Sequence, residues 1–361
     1  MFMPVFDANR FELSYNIEDI ERILFRIEKI VILPKYEQWL RRETFVRTAY
    51  SSTMVENAAI TSDEMEQAVK QAPLTNIPEK RLDVLNYAKA LEFVDFVSDT
   101  PDIVIDEGVI RQLHWLLMKE IHDTQVMPGQ YRTGPNWIED KGIKVYDPPF
   151  HVHVPSMMKD FADWLKSDQP IKPIIKAGIA HGHLVAIHPF VDGNGRTARL
   201  LAILLLRRFG YGFRKLLSLD PFYQFNRDGY ISALRKSLGK QYTENYNLTE
   251  WLVYFTSSVL LQADRLEQQL TDLRIVIDKA HRDWKPLGLT DRQIDGMMYA
   301  LRVGHITRKD YIEITRVSPL TATRDLADLA TKGFLEPKGL GRNRIYRMIP
   351  PQDTTSKEKT V

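Results

Sequence analysis

The sequence predicts a mainly α protein with more than one domain, and three observations carry that expectation. Apolar residues recur at helical spacing, without strand-like alternation, in stretches such as IEDIERILFRIEKIVIL (17–33) and LTEWLVYFTSSVLLQADRLEQQLTDLRIVI (248–277). Alternation is confined to two short segments, NWIEDKGIKVYDPP (136–149) and FLEPKGLGRNRIYRM (334–348), each with turn residues in its middle. A chain of 361 residues, 44% of them hydrophobic, can fill a sizeable core.

In chain order, residues 1–105 read as a helical amino-terminal region. Within it Asn57 to Ile60 breaks one helix, because asparagine tolerates the left-handed conformation that ends helices, and Thr61 with Glu64 has the capping-box spacing that starts another. Residues 106–240 hold the candidate chemistry: the 136–149 hairpin, turned at Asp140, Lys141 and Gly142, and an apolar helix IIKAGIAHGHLVAIHP that Pro189 stops. Residues 241–284 continue as a helical extension and linker. Pro286 and Gly288 set a boundary near residue 285, and Thr290 can cap the helix that follows. Residues 285–350 form the last domain, and the polar tail 351–361 has too little apolar surface to order itself.

The lack of cysteine excludes a disulfide framework, a thiol nucleophile and thiolate metal sites, which makes a reducing cytoplasm the expected compartment. The start MFMPVFDANRFEL lacks the basic and apolar regions of a signal peptide, and the run Leu200–Leu206 is too short to span a bilayer, so no membrane role is expected. The net charge of +2 is unevenly spread. Residues 281–361 carry 15 Lys+Arg against 10 Asp+Glu, a net of +5, leaving 34 against 37, a net of −3, for the rest. The carboxy-terminal part is the basic one, a modest excess that is more often a solvated surface than a nucleic-acid footprint unless the fold there uses it.

Chemistry concentrates in HPFVDGNGRTAR (188–199). His188 closes the apolar helix and can accept a proton at neutral pH. Gly193 and Gly195, on both sides of Asn194, let successive N–H groups point into one concavity, a nest for phosphate. A second helix starts around Arg196, adding its dipole, and the i, i+3 spacing sets Arg196 and Arg199 on neighbouring sides of it. Asp192 can give Mg²⁺ one hard oxygen, the ion taking its other ligands from phosphate and water. Together these groups fit transfer from a nucleoside triphosphate to a hydroxyl. A zinc site of His181, His183 and His188 is disfavoured, because on a helix of 3.6 residues per turn His183 faces away from His188. His151 and His153, after a Pro-Pro pair, read as flap packing or surface.

The twelve residues resemble the HPFx[DE]GNGRxxR signature of Fic-domain proteins at every specified position. The resemblance covers 106–240 and implies a Fic-type helical bundle with a β-hairpin flap, acting as a protein adenylyltransferase that uses ATP and Mg²⁺. It implies that His188 is the base, that Asp192 holds Mg²⁺, that Gly193, Asn194 and Gly195 line the anion hole, that Arg196 and Arg199 clamp phosphates, and that Phe190 anchors the loop. The hairpin resembles the family's flap, which makes Ile143, Lys144, Val145 and Tyr146 candidates for contact with a target segment or the nucleotide. FNRDGYISAL resembles a segment that meets adenine and suggests Tyr230 for the base pocket, although Ile231 stands where a second tyrosine is often found. Upstream, Ser52 to Asn57 (STMVEN) matches the [ST]xxxE[GN] inhibitory motif, so Ser52, Glu56 and Asn57 are implied to restrain the enzyme through a Glu56–Arg199 pair. Removal of AMP or transfer of UMP is the alternative within the family, and a homodimer is a further expectation from it.

The last domain reads as helix, helix, helix, hairpin, with ITRKDYIEIT as the second helix and Ser318-Pro319 starting the third. That order resembles a winged helix-turn-helix. It suggests Arg316, Thr321, Thr323 and Arg324 for a DNA groove and Lys338, Arg342, Arg344 and Arg347 for phosphates. A nucleotide-sensing DNA-binding regulator is therefore the alternative from another class, and protein docking the competing use of this domain.

Overall fold

The computed structural model describes residues 2–32, 34–56, 79–121, 126–140, 142–339 and 344–349, the side chains of 35, 56 and 79–81 excepted. The helix start expected at Thr61 and the polar tail lie outside the described residues. The chain falls into two compact units, Met1–Gln268 and Gln269–Val361. The division lies within one long helix, upstream of the boundary expected near 285, which is where that helix ends.

The first unit is built of α1 (Phe11–Lys29), α2 (Pro34–Glu56), α3 (Glu79–Asp99), α4 (Glu107–Met118), the strands β1 (Ile138–Asp140) and β2 (Ile143–Tyr146), then α5 (Val154–Lys166), α6 (Pro173–Ile187), α7 (Asn194–Arg208), α8 (Asp220–Phe225), α9 (Arg227–Leu238) and most of α10 (Thr249–Trp284). Its centre is the α6–α7 pair. α6 is apolar nearly all round, α7 carries an apolar run from Leu200 to Leu206 between its arginines, and both are buried along nearly their whole length, as helices at the middle of a bundle must be. Gly178 and Gly182, one turn apart on α6, let α10 approach closely: a methyl group on them would sit 2.7 Å from Leu252 Cδ2 and 2.9 Å from Trp251 Cδ1 respectively. Trp251 Nε1 donates to the Gly178 carbonyl at 2.8 Å across that contact.

Two ion pairs hold α3 on α7, Asp83–Arg196 at 2.9 Å and Asp95–Arg207 at 2.6 Å. Asn86 of α3 donates to the carbonyls of Leu117 and Lys119 at the end of α4. The β1–β2 hairpin forms as expected, antiparallel, with Asp140 opposite Ile143 and Gly142 at φ +77° in the turn. His151–His153 forms a short 3-10 helix ahead of α5.

The second unit contains α11 (Asp291–Val303), β3 (His305–Thr307), α12 (Arg308–Thr315), α13 (Pro319–Thr331), β4 (Leu335–Lys338) and β5 (Ile345–Met348). The strands make one antiparallel sheet in the order β3-β5-β4. Thr290 caps α11 in a capping box with Gln293, and Ser318 caps α13 through the Thr321 N–H. The helix expected to begin at Ile306 begins instead at Arg308. Ile306 is a buried residue of β3, and Thr307 and Asp310 form the capping box that starts α12. The three-residue strand is too short for its alternation to register in the sequence.

Candidate active site

His188 ends α6 in the left-handed conformation, φ +50° and ψ 59°, which a residue with a Cβ adopts at a cost of roughly 1–2 kcal/mol. One side chain above all holds it there. Arg132, buried, donates through Nε to the His188 carbonyl at 2.8 Å and through its terminal nitrogens to the carbonyls of Gly134, Pro149 and Ile187. Its own N–H donates to the Pro189 carbonyl at 2.9 Å. One guanidinium thus joins the end of α6 to both ends of the flap.

The loop after His188 folds back on itself around Phe190, which is fully buried. Asn194 Oδ1 accepts from the Phe190 N–H and Asn194 Nδ2 donates to its carbonyl, both at 2.9 Å. The Asn194 side chain is therefore a staple of the loop, and only its backbone N–H is left to serve an anion. The Phe190 ring lies 3.7 Å from that of His114, nearly parallel to it. His114 Nδ1 accepts from the Gly129 N–H and its Nε2 donates to the Asp192 carbonyl at 3.0 Å. Burial above all, with the charge of Arg196 adding to it, pushes the His114 imidazole down to about 4. Gly193, at φ +75°, turns the chain into α7, where a Cβ would strike Met118 Sδ at 2.8 Å.

Asn194, Gly195 and Arg196 open α7, so their N–H groups lie in the first turn, where a helix supplies no acceptors of its own and its dipole favours an anion. Arg196 and Arg199 flank that turn, 4% and 2% exposed, and both already hold carboxylates. Arg196 bridges Asp83 at 2.9 Å and Asp192 at 3.0 Å. Arg199 lies 3.1 Å from Asp220 and donates to Ser52 twice, to its hydroxyl at 2.8 Å and its carbonyl at 2.9 Å. Ser52 thus meets Arg199 from α2. The Glu56 side chain and all of Asn57 lie outside the described residues.

In the flap, Ile143 and Lys144 are exposed and Val145 half-buried, whereas Tyr146 is buried and donates its hydroxyl to the Ala186 carbonyl at 3.1 Å. Tyr146 anchors the hairpin to the end of α6 rather than presenting a contact surface. Arg227 at the start of α9 reaches Asp140 of the flap at 2.9 Å and the Val55 carbonyl of α2 at 2.9 Å. Tyr230 is also withdrawn: its hydroxyl meets His181 Nε2 at 3.1 Å and its ring packs on Trp251 and Tyr223. A groove of ≈ 450 Å³ runs beside it, lined by Asp140, Ile231, Ser232, Arg235 and Lys240 among others. His181 and His183 are core residues, the latter stacked on Phe2 and bonded to Tyr246.

Sequence reasoning missed Arg132, His114, Asp83 and Asp220. Arg132 lies just ahead of the 136–149 hairpin with no motif to mark it, and His114 is a lone histidine on an apolar helix, ordinarily a core residue. The two aspartates have no local pattern at all, being remote in sequence from the arginines they meet. Among the described residues no group of three or more His, Asp or Glu could hold a metal, and no helix is long and apolar enough to cross a membrane. In the second unit Thr323 and Arg324 are exposed on the first turns of α13, while Arg342 lies outside the described residues.

The turn thus sets an imidazole at the end of one buried helix and two arginines at the start of the next. Residues 104–206 match the model of the Fic/DOC family, and the chain carries a Fic domain. It is similar to Protein adenylyltransferase Fic of Nematostella vectensis, 30% identical over 205 residues, 54% of this chain and 45% of that one. It is also similar to a probable protein adenylyltransferase of Aquifex aeolicus, 28% identical over 57% of this chain and 58% of the other. The chain spans about half the length of these curated relatives. Among solved structures, a Fic family protein from Desulfovibrio desulfuricans shares the fold with a TM-score of 0.63, at 21% identity, over 97% of this chain and 99% of that one.

Proposed function

We propose that the chain is a protein adenylyltransferase that moves AMP from ATP to a Tyr, Ser or Thr hydroxyl of a target protein or of itself. The observation that carries this is the single rigid turn joining His188 to the start of α7 inside a Fic domain. His188 takes the proton of the incoming hydroxyl, whose oxygen bonds to the α-phosphorus as the bond to the bridging oxygen of pyrophosphate breaks. The N–H groups of Asn194, Gly195 and Arg196 and the two guanidinium groups hold the phosphate oxygens. Donors fixed in advance, in a site poor in water, stabilise the charge that spreads over the phosphoryl oxygens in the transition state.

Mg²⁺ fits the donor set through Asp192, a largely exposed carboxylate beside the helix start that can give one hard oxygen while nucleotide and water complete the shell. Bound there, the ion would neutralise phosphate charge. The Ser52–Arg199 bonds support the assignment of α2 as a restraint on the γ-phosphate site, with Glu56 as its charged element. The exposed Ile143 and Lys144 of the flap are where a target segment would pair as an added strand.

Incubation of wild type, Glu56→Gly and His188→Ala with ATP and Mg²⁺, alone and with candidate targets, tests this by mass spectrometry of the adduct. AMP addition that rises in Glu56→Gly and vanishes in His188→Ala is expected. Absence of any adduct from Glu56→Gly sinks the enzyme assignment, and equal rates in Glu56→Gly and wild type sink the inhibitory one. For the second unit we propose a winged helix on DNA, supported by a helix-strand order ending in the β4–β5 hairpin and by the exposed Arg324 on α13. A mobility shift that weakens steeply with salt is the expected result, and no shift at low salt would leave protein docking as its use.

A further inference from the structure

Asp192 is held in a way that the 188–199 motif alone does not account for. Its backbone is pinned, because His114 Nε2 donates to its carbonyl at 3.0 Å. What remains to be set is the carboxylate, whose side chain is 58% exposed. Arg196, four residues on and only 5% exposed, meets Asp192 Oδ2 through Nη2 at 3.0 Å. Its other terminal nitrogen, Nη1, is taken at 2.9 Å by Oδ1 of Asp83, a residue of α3 that lies 113 positions away in the chain.

A guanidinium and a carboxylate left to themselves close into a bidentate pair of parallel N–H···O bonds. Here the fork is divided, one terminal nitrogen to each acid, so Arg196 holds Asp192 by Oδ2 and leaves Oδ1 outside the pair. The three side chains together carry a charge of −1, which favours a cation at the exposed member of the group. We propose, on the adenylyltransferase reading above, that Asp83 is a positioning residue for the metal-binding carboxylate. By drawing Arg196 to itself it keeps Asp192 from being neutralised and reserves one of its oxygens for Mg²⁺, an ion that needs only one or two protein carboxylates beside phosphate and water.

The other ion pair between these helices separates positioning from packing. Asp95 meets Arg207 at 2.6 Å, about 16 Å further along α7 than Arg196 and so out of reach of the loop that carries Asp192. Substituting Asp95 disturbs the contact of α3 with α7 and nothing more. Substituting Asp83 also frees Arg196 to close on both oxygens of Asp192. Partners that orient a metal ligand without touching the ion change metal affinity by roughly 10–100-fold when removed.

Binding of Mn²⁺, an oxygen-seeking ion that electron paramagnetic resonance detects, tests this in the full-length Glu56→Gly protein. The nucleotide is an ATP analogue with a methylene group between the α- and β-phosphorus, so that no transfer occurs. Asp83→Asn should raise the Kd of Mn²⁺ by about tenfold or more, Asp83→Glu should raise it less, and Asp95→Asn should leave it unchanged. In an Asp192→Ala background, where the ligand is gone, adding Asp83→Asn should change the Kd no further. In AMP transfer the defect of Asp83→Asn should shrink at saturating Mg²⁺, as a defect of folding would not. Equal Mn²⁺ affinity in Asp83→Asn and its parent, or an equal loss in Asp95→Asn, overturns the proposal and leaves the transferase reading standing. A parent that binds no Mn²⁺ with the analogue, or binds it as well after Asp192→Ala, overturns the assignment of Asp192 and the role of Asp83 with it.

Discussion

Arg199 and Asp220 form an ion pair closed off from solvent, Nε to Oδ1 at 3.1 Å, with side chains 2% and 1% exposed. The guanidinium expected to hold a phosphate is thus also the counter-charge of a core carboxylate and a double donor to Ser52 of α2. Burial pushes the Asp220 carboxyl up, while Arg199 and the hydroxyls of Ser52 and Tyr87 pull it back down. Structure and chemistry therefore share one residue, and the two roles can be separated by mutation.

Asp220→Ala leaves Arg199 buried without that carboxylate. Removing one partner of such a pair costs about 3–5 kcal/mol, and urea unfolding should read a loss of that order. Asp220→Asn keeps the shape and a hydrogen-bonding oxygen and should lose less. Equal stability of Asp220→Ala and wild type would show that the pair is no part of the scaffold.

Ser52→Ala removes one of the two bonds from Arg199 to α2 and keeps the carbonyl one. A hydrogen bond to a charged group contributes about 1.5–3 kcal/mol, so α2 should be held less firmly on α7. AMP transfer should then rise severalfold while staying below that of Glu56→Gly. A fall in transfer would place Ser52 on the side of catalysis instead.

Arg132→Gln should damage the reaction more than its distance from phosphate suggests. Its guanidinium holds the carbonyls of Ile187, His188, Gly134 and Pro149, and glutamine offers one NH₂ for all of them. The left-handed His188 would relax, and a misplacement of about 1 Å at a reacting group can cost about 100-fold in rate. The expected signature is a fall in kcat with KM nearly unchanged. Arg132→Lys should not rescue it, since a point charge cannot reproduce the planar fork.

These assignments also mark how far the sequence is legible. The helices are readable because α6 and the Leu200–Leu206 run of α7 are apolar and α11 and α13 begin with Thr290 and Ser318 at cap positions, signals written within a few residues. The turn from His188 to Arg199 was readable for the same reason, its glycines and Asn194 being contiguous. What could not be read depends on partners distant in the chain: Asp83 and Asp220 reaching the arginines, Arg132 reaching His188, and Tyr146 and Tyr230 turning inward to Ala186 and His181. A tyrosine beside a site looks the same in sequence whether it faces ligand or core. Strand β3 escaped because three residues carry no period.

Acid should loosen the first unit before it reaches the carboxylate range. His114 is pushed from its ordinary 6.5 down to about 4 and His183 to about 3, in both cases chiefly by burial. Between pH 6.5 and 4 the unfolded chain binds protons at these rings and the folded chain does not, so stability falls as pH drops through that window and is fully present above it. For His114 the shift corresponds to about 3 kcal/mol. Urea unfolding across pH should show this slope. His114→Asn should reduce it by about one proton while lowering stability at neutral pH through loss of the Phe190 stack.

The approach of α10 to α6 gives the last test, in which two opposing effects can be weighed. Replacing glycine by alanine in a helix interior favours the helix by roughly 0.5–1 kcal/mol. At Gly178 the new methyl group would lie 2.7 Å from Leu252 Cδ2 and 3.0 Å from Phe255 Cδ1, inside contact distance, and overpacking of a tight core costs about 1–3 kcal/mol. Packing should win, so Gly178→Ala is expected to be destabilised by about 1–2 kcal/mol, and its rate of AMP transfer should fall further because α6 carries His188 at its end. The double variant Gly178→Ala/Leu252→Ala returns the space. Although Leu252→Ala alone costs about 2–5 kcal/mol, adding Gly178→Ala to it should then stabilise rather than destabilise, a change of sign that a thermodynamic cycle reads directly. If Gly178→Ala costs the same in both backgrounds, the glycine is there for some reason other than the closeness of α10.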